Sequence, residues 1–404
     1  MTVAQALAII AFSLREPILP FFIKELGADS VESATRWNGI VASVGGFTMA
    51  FTAPIWGLLG DRFGRKPMLL RSMIAASITI FLMGFATAPW HIAALRMVEG
   101  AFTGTVTAAT ALVATSAPRE RLGYNLGMVQ TAVFAGAALG PALGGFAAGH
   151  FGYRTMFGVS SFMMLTATVT VIFFVREIFT RPEPRPKSTE PRRTQWAWML
   201  GAVMISTMVT IFMVRFVSQG IRPIMPLFLQ ELGSYTDTEA ARATGWMFAV
   251  LGVSSAFSAI IFGRRGDRVG HRKILLGCVV AAAVLYLPMG FAQEGWHLIV
   301  LQGLFGIAAG GMIPSANAII ANITPAERRG FIFGITNTVG SVGAAFGPLL
   351  LSTLMAPALG FEAAFVTVAV LMLAFSGALW WVLNNRSAGS AGTETVFVTP
   401  GRGD

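Results

Sequence analysis

Charge is scarce in this chain. Only 12% of its 404 residues are Asp, Glu, Lys or Arg, roughly half of the quarter that a soluble chain carries. One cysteine, Cys278, excludes an intramolecular disulfide and a thiolate metal cage. The four histidines, His91, His150, His271 and His297, are dispersed and form no HxxxH pair, so no metal site is indicated. A phosphate-binding loop is excluded too. It needs four residues between its glycines and then Lys-Ser/Thr, whereas Gly60 and Gly64 enclose three, followed by Arg65-Lys66-Pro67. The net charge of +10 does not make a nucleic-acid surface, because the basic residues sit at the ends of apolar runs and form no solvated face. No enzyme activity, metal or cofactor is expected.

What the chain does have is apolar length. Hydrophobic residues make up 54% of it, the mean hydropathy is +0.68, and runs of about 20 apolar residues recur throughout, as in transmembrane helices. Twelve helices are expected near residues 2–25, 37–60, 67–87, 90–116, 121–149, 153–176, 197–230, 241–263, 273–292, 296–322, 328–356 and 361–385. A Pro-rich polar stretch, RPEPRPKSTEPRR, reads as an extended linker. The expected division is an N-terminal six-helix bundle (1–176), a linker (177–196), a C-terminal six-helix bundle (197–385) and a polar tail (386–404). One set of loops carries Arg62, Arg65, Lys66, Arg71, the linker arginines, Arg264–Lys273, Arg328 and Arg329, while the opposite set holds only Lys24, Arg36, Arg154 and Arg242. That bias assigns the first set and both termini to the cytoplasm, in a multi-pass protein of the cell (inner) membrane. The first 24 residues lack a basic leader and a small-x-small cleavage site, so they read as a retained span.

The halves repeat. Gly57-Leu-Leu-Gly-Asp-Arg-Phe-Gly-Arg-Lys-Pro67 returns as Gly263-Arg-Arg-Gly-Asp-Arg-Val-Gly-His-Arg-Lys273, with Gly60, Asp61, Arg62 and Gly64 matched by Gly266, Asp267, Arg268 and Gly270, each 206 positions on. Pro17–Phe22 and Glu25-Leu26-Gly27 recur at Pro223–Phe228 and Glu231-Leu232-Gly233 in the same register. A period of half the chain marks an internal duplication. In that register Met1 matches Thr207 while helix seven begins near Trp196, so the first helix looks clipped and the natural start is expected upstream. Helix five carries Gly127, Gly136, Gly140, Pro141, Gly144 and Gly145. Gly136, Gly140 and Gly144 share one face, where bare backbone allows close helix crossing, and Pro141 favours a bend.

These motifs together resemble the major facilitator superfamily, over the whole chain up to its tail. The resemblance implies an all-α membrane fold of twelve helices in two pseudo-symmetric six-helix bundles, with a ligand site between them near the midplane. The Gly57, Gly60, Asp61, Arg62, Gly64, Arg65 turn is similar to the family's helix 2–3 motif, and Asp267-Arg268 to its weaker helix 8–9 copy. By resemblance, Asp61 latches onto the start of helix eleven near Glu327 and Asp267 onto helix five near Glu120 when the cytoplasmic side is closed. The helix-five pattern resembles that of the family's proton-coupled drug exporters, while helix eleven keeps only Gly334, Gly343, Gly347 and Pro348 of it.

Charges inside spans are expensive and point to function. Helix one has Arg15-Glu16, helix four Arg96 and Glu99, helix seven Arg215 and Arg222. Arg96 and Glu99 are three apart and can pair; the resemblance gives Arg96 a part in proton coupling. Glu16 and Arg222 are duplicate positions, so a bridge between them across the central cavity is expected, with Glu16, Arg96, Glu99 and Arg222 as the coupling set. Phe and Met side chains repack easily around varied apolar ligands; Phe21, Phe22, Phe47, Met225 and Phe228 are the expected cavity lining. The implied function is proton-driven export of small amphipathic or hydrophobic compounds by alternating access. Its partners are the substrate, protons and membrane lipid, and a monomer is the expected functional unit. A symporter or uniporter for a sugar or organic acid is the alternative on the same fold. A sensor or scaffold would need a sizeable soluble domain, and a channel would need polar rings.

Overall fold

The computed structural model describes residues 1–102, 104–116, 122–177, 201–233, 235–324 and 329–385. All regular structure there is helical. Nine helices are long and apolar enough to cross a membrane, or ten if Thr2–Leu14 and Leu19–Glu25, bent by 43°, form one span. The run Ile332–Val382 is two spans, because Gly360 leaves helical geometry at φ 86°. The remaining span is a broken one, Pro89–Phe102 and Thr105–Ser116. Counted in this way, the described residues give twelve spans. We label them α1 (Thr2–Leu14, then Leu19–Glu25), α2 (Val31–Phe63), α3 (Arg65–Met83), α4 (Pro89–Phe102, then Thr105–Ser116), α5 (Leu122–Phe151) and α6 (Tyr153–Phe174). The second half contains α7 (Ala202–Ile221, then Met225–Gly233), α8 (Asp237–Val269), α9 (His271–Gly290) and α10 (Gly295–Ile323). Next comes α11 (Arg329–Pro348, continued by the π-helix Leu349–Met355). The helix Ala356–Asn385 finishes α11 before Gly360 and forms α12 after it.

The differences from the sequence expectation have local causes. Helices two and eight start earlier than expected because polar caps extend them beyond their apolar runs. Ser30 accepts a hydrogen bond from the Ser33 amide, and Thr236 and Glu239 form a capping box. Helix four is not continuous over 90–116; it breaks at Gly104 (φ 131°). Pro348 has no amide to donate, and the next turn widens to a π-helix. The proposed linker beyond residue 177 and the tail lie outside the described residues, as do residues 197–200 of the expected helix seven.

The repeat is also structural. Helix pairs α1–α5, α2–α4 and α3–α6 of the first half recur as α7–α11, α8–α10 and α9–α12 of the second. Gly64 and Gly270 join the repeated helices at φ 100° and 98°, a region open to glycine at little cost. Just before them, Gly60 and Gly266 lie under the side chains of Arg65 and His271, themselves duplicate positions. The halves meet along α2–α11 and α5–α8. Those contacts gather on the side away from the basic turns: Gly46 against Ala345, Phe47 against Phe346, Gly245 against Pro141 and Gly252 against Ala138. Toward the basic turns the same helices separate. Phe51, Ile55 and Leu58 of α2 and Phe257, Ile260 and Ile261 of α8 are exposed, and nothing lies within 4 Å of the Cβ positions of Gly57, Gly127, Gly263 and Gly334. The space between the halves is open on the basic side and shut on the other.

Candidate functional site

The first and seventh spans both break at a proline, Pro17 and Pro223, which cannot donate a helical hydrogen bond. At these breaks the duplicate positions Glu16 and Arg222 meet. The Arg222 Nη1 donates to both Glu16 carboxylate oxygens at 2.8 and 2.9 Å. The pair crosses from one bundle to the other and is only part-buried, 29% and 37% of the side chains being accessible. A second duplicate pair lies toward the closed side: Lys24 Nζ donates to Gln230 Oε1 at 3.2 Å and to Asp237 Oδ1 at 3.0 Å. Asn38 of α2 adds a hydrogen bond to the Pro223 carbonyl at 2.9 Å. Two residues related by a twofold can touch only on its axis, so both pairs trace the pseudo-dyad.

Beside this bridge is a buried charge cluster that sequence reasoning only half found. Arg96 donates to Glu99 Oε2 at 3.1 Å, as the spacing allows. Arg15 of α1 also reaches Glu99, with Nη1 on Oε2 at 2.9 Å and Nη2 on Oε1. Glu99 and Arg15 are almost fully enclosed, at 3% and 5% accessibility. A fork-on-fork geometry of this kind joins charge to shape. The unusual Arg15-Glu16 pair in an apolar span was its sequence signal, because a buried guanidinium requires a carboxylate somewhere.

Most of the expected cavity lining is sealed inside the bundles, which is a correction. Phe21, Phe22 and Met225 are fully buried and Phe228 nearly so. Phe22 packs on Phe157 at 4.9 Å, Phe228 on Phe361 and Phe365 at 5.4 and 5.3 Å, and the Met225 sulfur accepts from Gln302 at 3.6 Å. Phe47 does lie between the halves, edge-on to Phe346 at 5.0 Å.

Helix-five glycines serve two interfaces. Gly136, Gly140 and Gly144 lie on α1; a Cβ on Gly140 would stand 2.7 Å from that of Ser13, and one on Gly144 would overlap the Leu14 carbonyl. Gly145 instead faces α8, where a Cβ would overlap the Ala241 carbonyl. Pro141 lies within α5 and its carbonyl faces Gly245, whereas a Cβ on Gly127 would meet open space.

In the basic turns, Arg62 and Arg268 are exposed, and Arg62 lies 5.4 Å from the Phe63 ring. The carboxylate of Glu177 accepts from the Arg65 and Lys66 amides at 2.7 and 2.8 Å, capping α3. Asp267 pairs with its own neighbour His271 at 3.1 Å. The Asp61 side chain and the expected latch partners near Glu120 and Glu327 lie outside the described residues.

Comparison with known proteins agrees with this geometry. The family model described as Major Facilitator Superfamily matches residues 1–232 and 207–397. The chain is 34% identical over 376 residues to "Multidrug resistance protein MdtG" of Serratia proteamaculans, covering 93% of this chain and 91% of the relative. The protein of the same name from Dickeya zeae is 34% identical over 379 residues, covering 93% and 92%. Among solved structures, a bacterial homologue of the human lysosomal transporter Spinster in an inward-facing, unoccupied conformation superposes with TM-score 0.76 at 15% identity, over 94% of this chain and 95% of that one. The nucleoside transporter NupG gives TM-score 0.76 at 11% identity, over 95% and 99%.

Proposed function

Because this chain belongs to the major facilitator superfamily, we propose that it exports small amphipathic or hydrophobic compounds in exchange for protons. The observation that carries the reading is the Glu16–Arg222 bridge. It ties the two bundles together on the closed side of the open space, where a change of charge acts directly on their relative tilt. The names of the curated relatives support export of drug-like compounds, and the basic loops support a cytoplasmic assignment for the open side and both termini in the cell (inner) membrane.

In this reading substrate enters from the cytoplasm while Glu16 is ionised and paired. Rocking of the bundles opens the opposite side and pulls Glu16 away from Arg222. The separated carboxylate takes a proton from outside, which removes the cost of an unpaired charge and holds the bridge apart while substrate leaves. Return to the inward-facing arrangement presents Glu16 to Arg222 again; the proton is lost to the cytoplasm and the pair reforms. Each ligand biases the equilibrium only through its different affinity for the two states. Glu99 is poorly suited to this duty, since a proton there would strand Arg15 in an enclosed site. Asp61 and Asp267 are proposed to engage only when the cytoplasmic side shuts.

The test is uptake of fluorescent drugs into inverted vesicles under an imposed pH gradient. Uptake accelerated by the gradient in wild type, and insensitive to it in Glu16→Gln, is expected. Uptake by wild type that ignores the gradient removes the antiport reading.

A further inference from the structure

Of the charges near the middle of the described spans, one holds no carboxylate. Arg15, Arg96 and Arg222 all hold carboxylates. Arg215 of α7 makes no ion pair or hydrogen bond with any described residue, and the two mid-span carboxylates, Glu16 and Glu99, are both taken. Arg215 is solvent-exposed although its helix is packed against α10 and α11. That combination belongs to the wall of the open space between the bundles; a lipid-facing side chain would not be surrounded by protein. Its stem passes Gly340 of α11, where an added Cβ would stand 3.4 Å from Arg215 Cγ. The duplicate position in the first half, Ile9, is apolar and packs on Gly136, so the charge belongs to one side only. Arg215 lies two helical turns from Arg222, toward the open side. Four guanidiniums thus face two carboxylates, and the excess is positive.

We propose that Arg215 is a binding residue for an oxyanion group, a carboxylate or sulfonate, on the transported compound. The planar guanidinium matches such a group with two parallel N–H donors. In a site walled by protein, the pairing is stronger than in water. The same excess charge disfavours cationic compounds. This inference deepens the export reading and rests on it for the word transported; the binding site itself does not depend on it.

The test uses three ligands sharing one ring: naphthoate, neutral naphthamide and a naphthylmethyl trimethylammonium. Their binding to the purified full-length protein in detergent is measured by equilibrium dialysis. Wild type should prefer naphthoate. Arg215→Gln should weaken naphthoate by about tenfold or more, leave naphthamide within about twofold, and Arg215→Lys should recover part of the loss. If Arg215→Gln is not monodisperse, the wild-type order of the three ligands and the Arg215→Lys variant still decide. Equal binding of all three, a preference for the ammonium, or undiminished naphthoate binding by Arg215→Gln overturns the assignment. Displacement of naphthoate by equimolar chloride or inorganic phosphate would make this a site for small inorganic anions and also overturn it. Vesicle uptake separates the two readings. Naphthoate bound but never transported sinks export and leaves the site; transport of naphthamide and the ammonium without preference for naphthoate sinks the site and leaves export.

Discussion

Replacing Glu99 by Gln keeps its volume and removes its charge. Two guanidiniums depend on that charge, and Arg15 is only 5% accessible, so water cannot replace the lost carboxylate. Removing one member of such a buried pair costs about 3–5 kcal/mol. For a bundle of this size each kcal/mol moves the unfolding midpoint by about 2–4 °C, so a fall on the order of 10 °C is expected. Thermal unfolding of the purified protein, followed by loss of the monodisperse chromatographic peak, measures it. The double variant Arg15→Gln/Glu99→Gln also removes the stranded cation and should regain more than half of the loss. Arg96, at 26% accessibility, can find water. A Glu99→Gln midpoint within about 2 °C of wild type, or a double variant no more stable than the single, refutes the view that Glu99 is a structural counter-ion. The surviving Glu99→Gln protein should also keep its response to a pH gradient.

Other substitutions test the interfaces. Gly144→Val places a branched side chain into the Leu14 carbonyl and should destabilise by about 1–3 kcal/mol or more, read as a lower unfolding midpoint, whereas Gly127→Ala, in open space, should cost little. Gly46→Val drives α2 off Ala345 on the closed side; labelling of a cysteine placed there should rise and vesicle uptake should fall. Asp237→Lys puts two cations where Lys24 now holds a carboxylate. It should likewise favour outward opening, and the swap Lys24→Asp/Asp237→Lys should restore the wild-type labelling pattern.

The duplication was legible because glycine, aspartate and arginine are rare enough in an apolar chain to reveal a register. Gly60 and Gly266, Arg65 and His271 occupy matching places in space as they do in sequence. The Glu16–Arg222 contact was legible for the same reason: duplicate positions near the axis have few places to go. The Arg15–Glu99 pair was not, since it links positions 84 apart through the packing of α1 beside α4, which no local pattern encodes. The aromatic lining failed on a different ground. In a membrane the faces toward lipid, neighbour and cavity are all apolar, so hydrophobicity does not say which way Phe21, Phe22 or Phe228 points. The starts of α2 and α8 lie outside the apolar runs because their first turns are polar, and at α8 the cap itself is written in Thr236 and Glu239.

Glu16 and Arg222 lie on the axis, and so each faces its own counterpart. In a symmetric pair of separate half-length chains that place would hold two copies of one residue, glutamate against glutamate or arginine against arginine, and the centre would repel itself. Joining the halves into one polypeptide lifts that restriction. Fusion is what lets opposite charges meet at the centre.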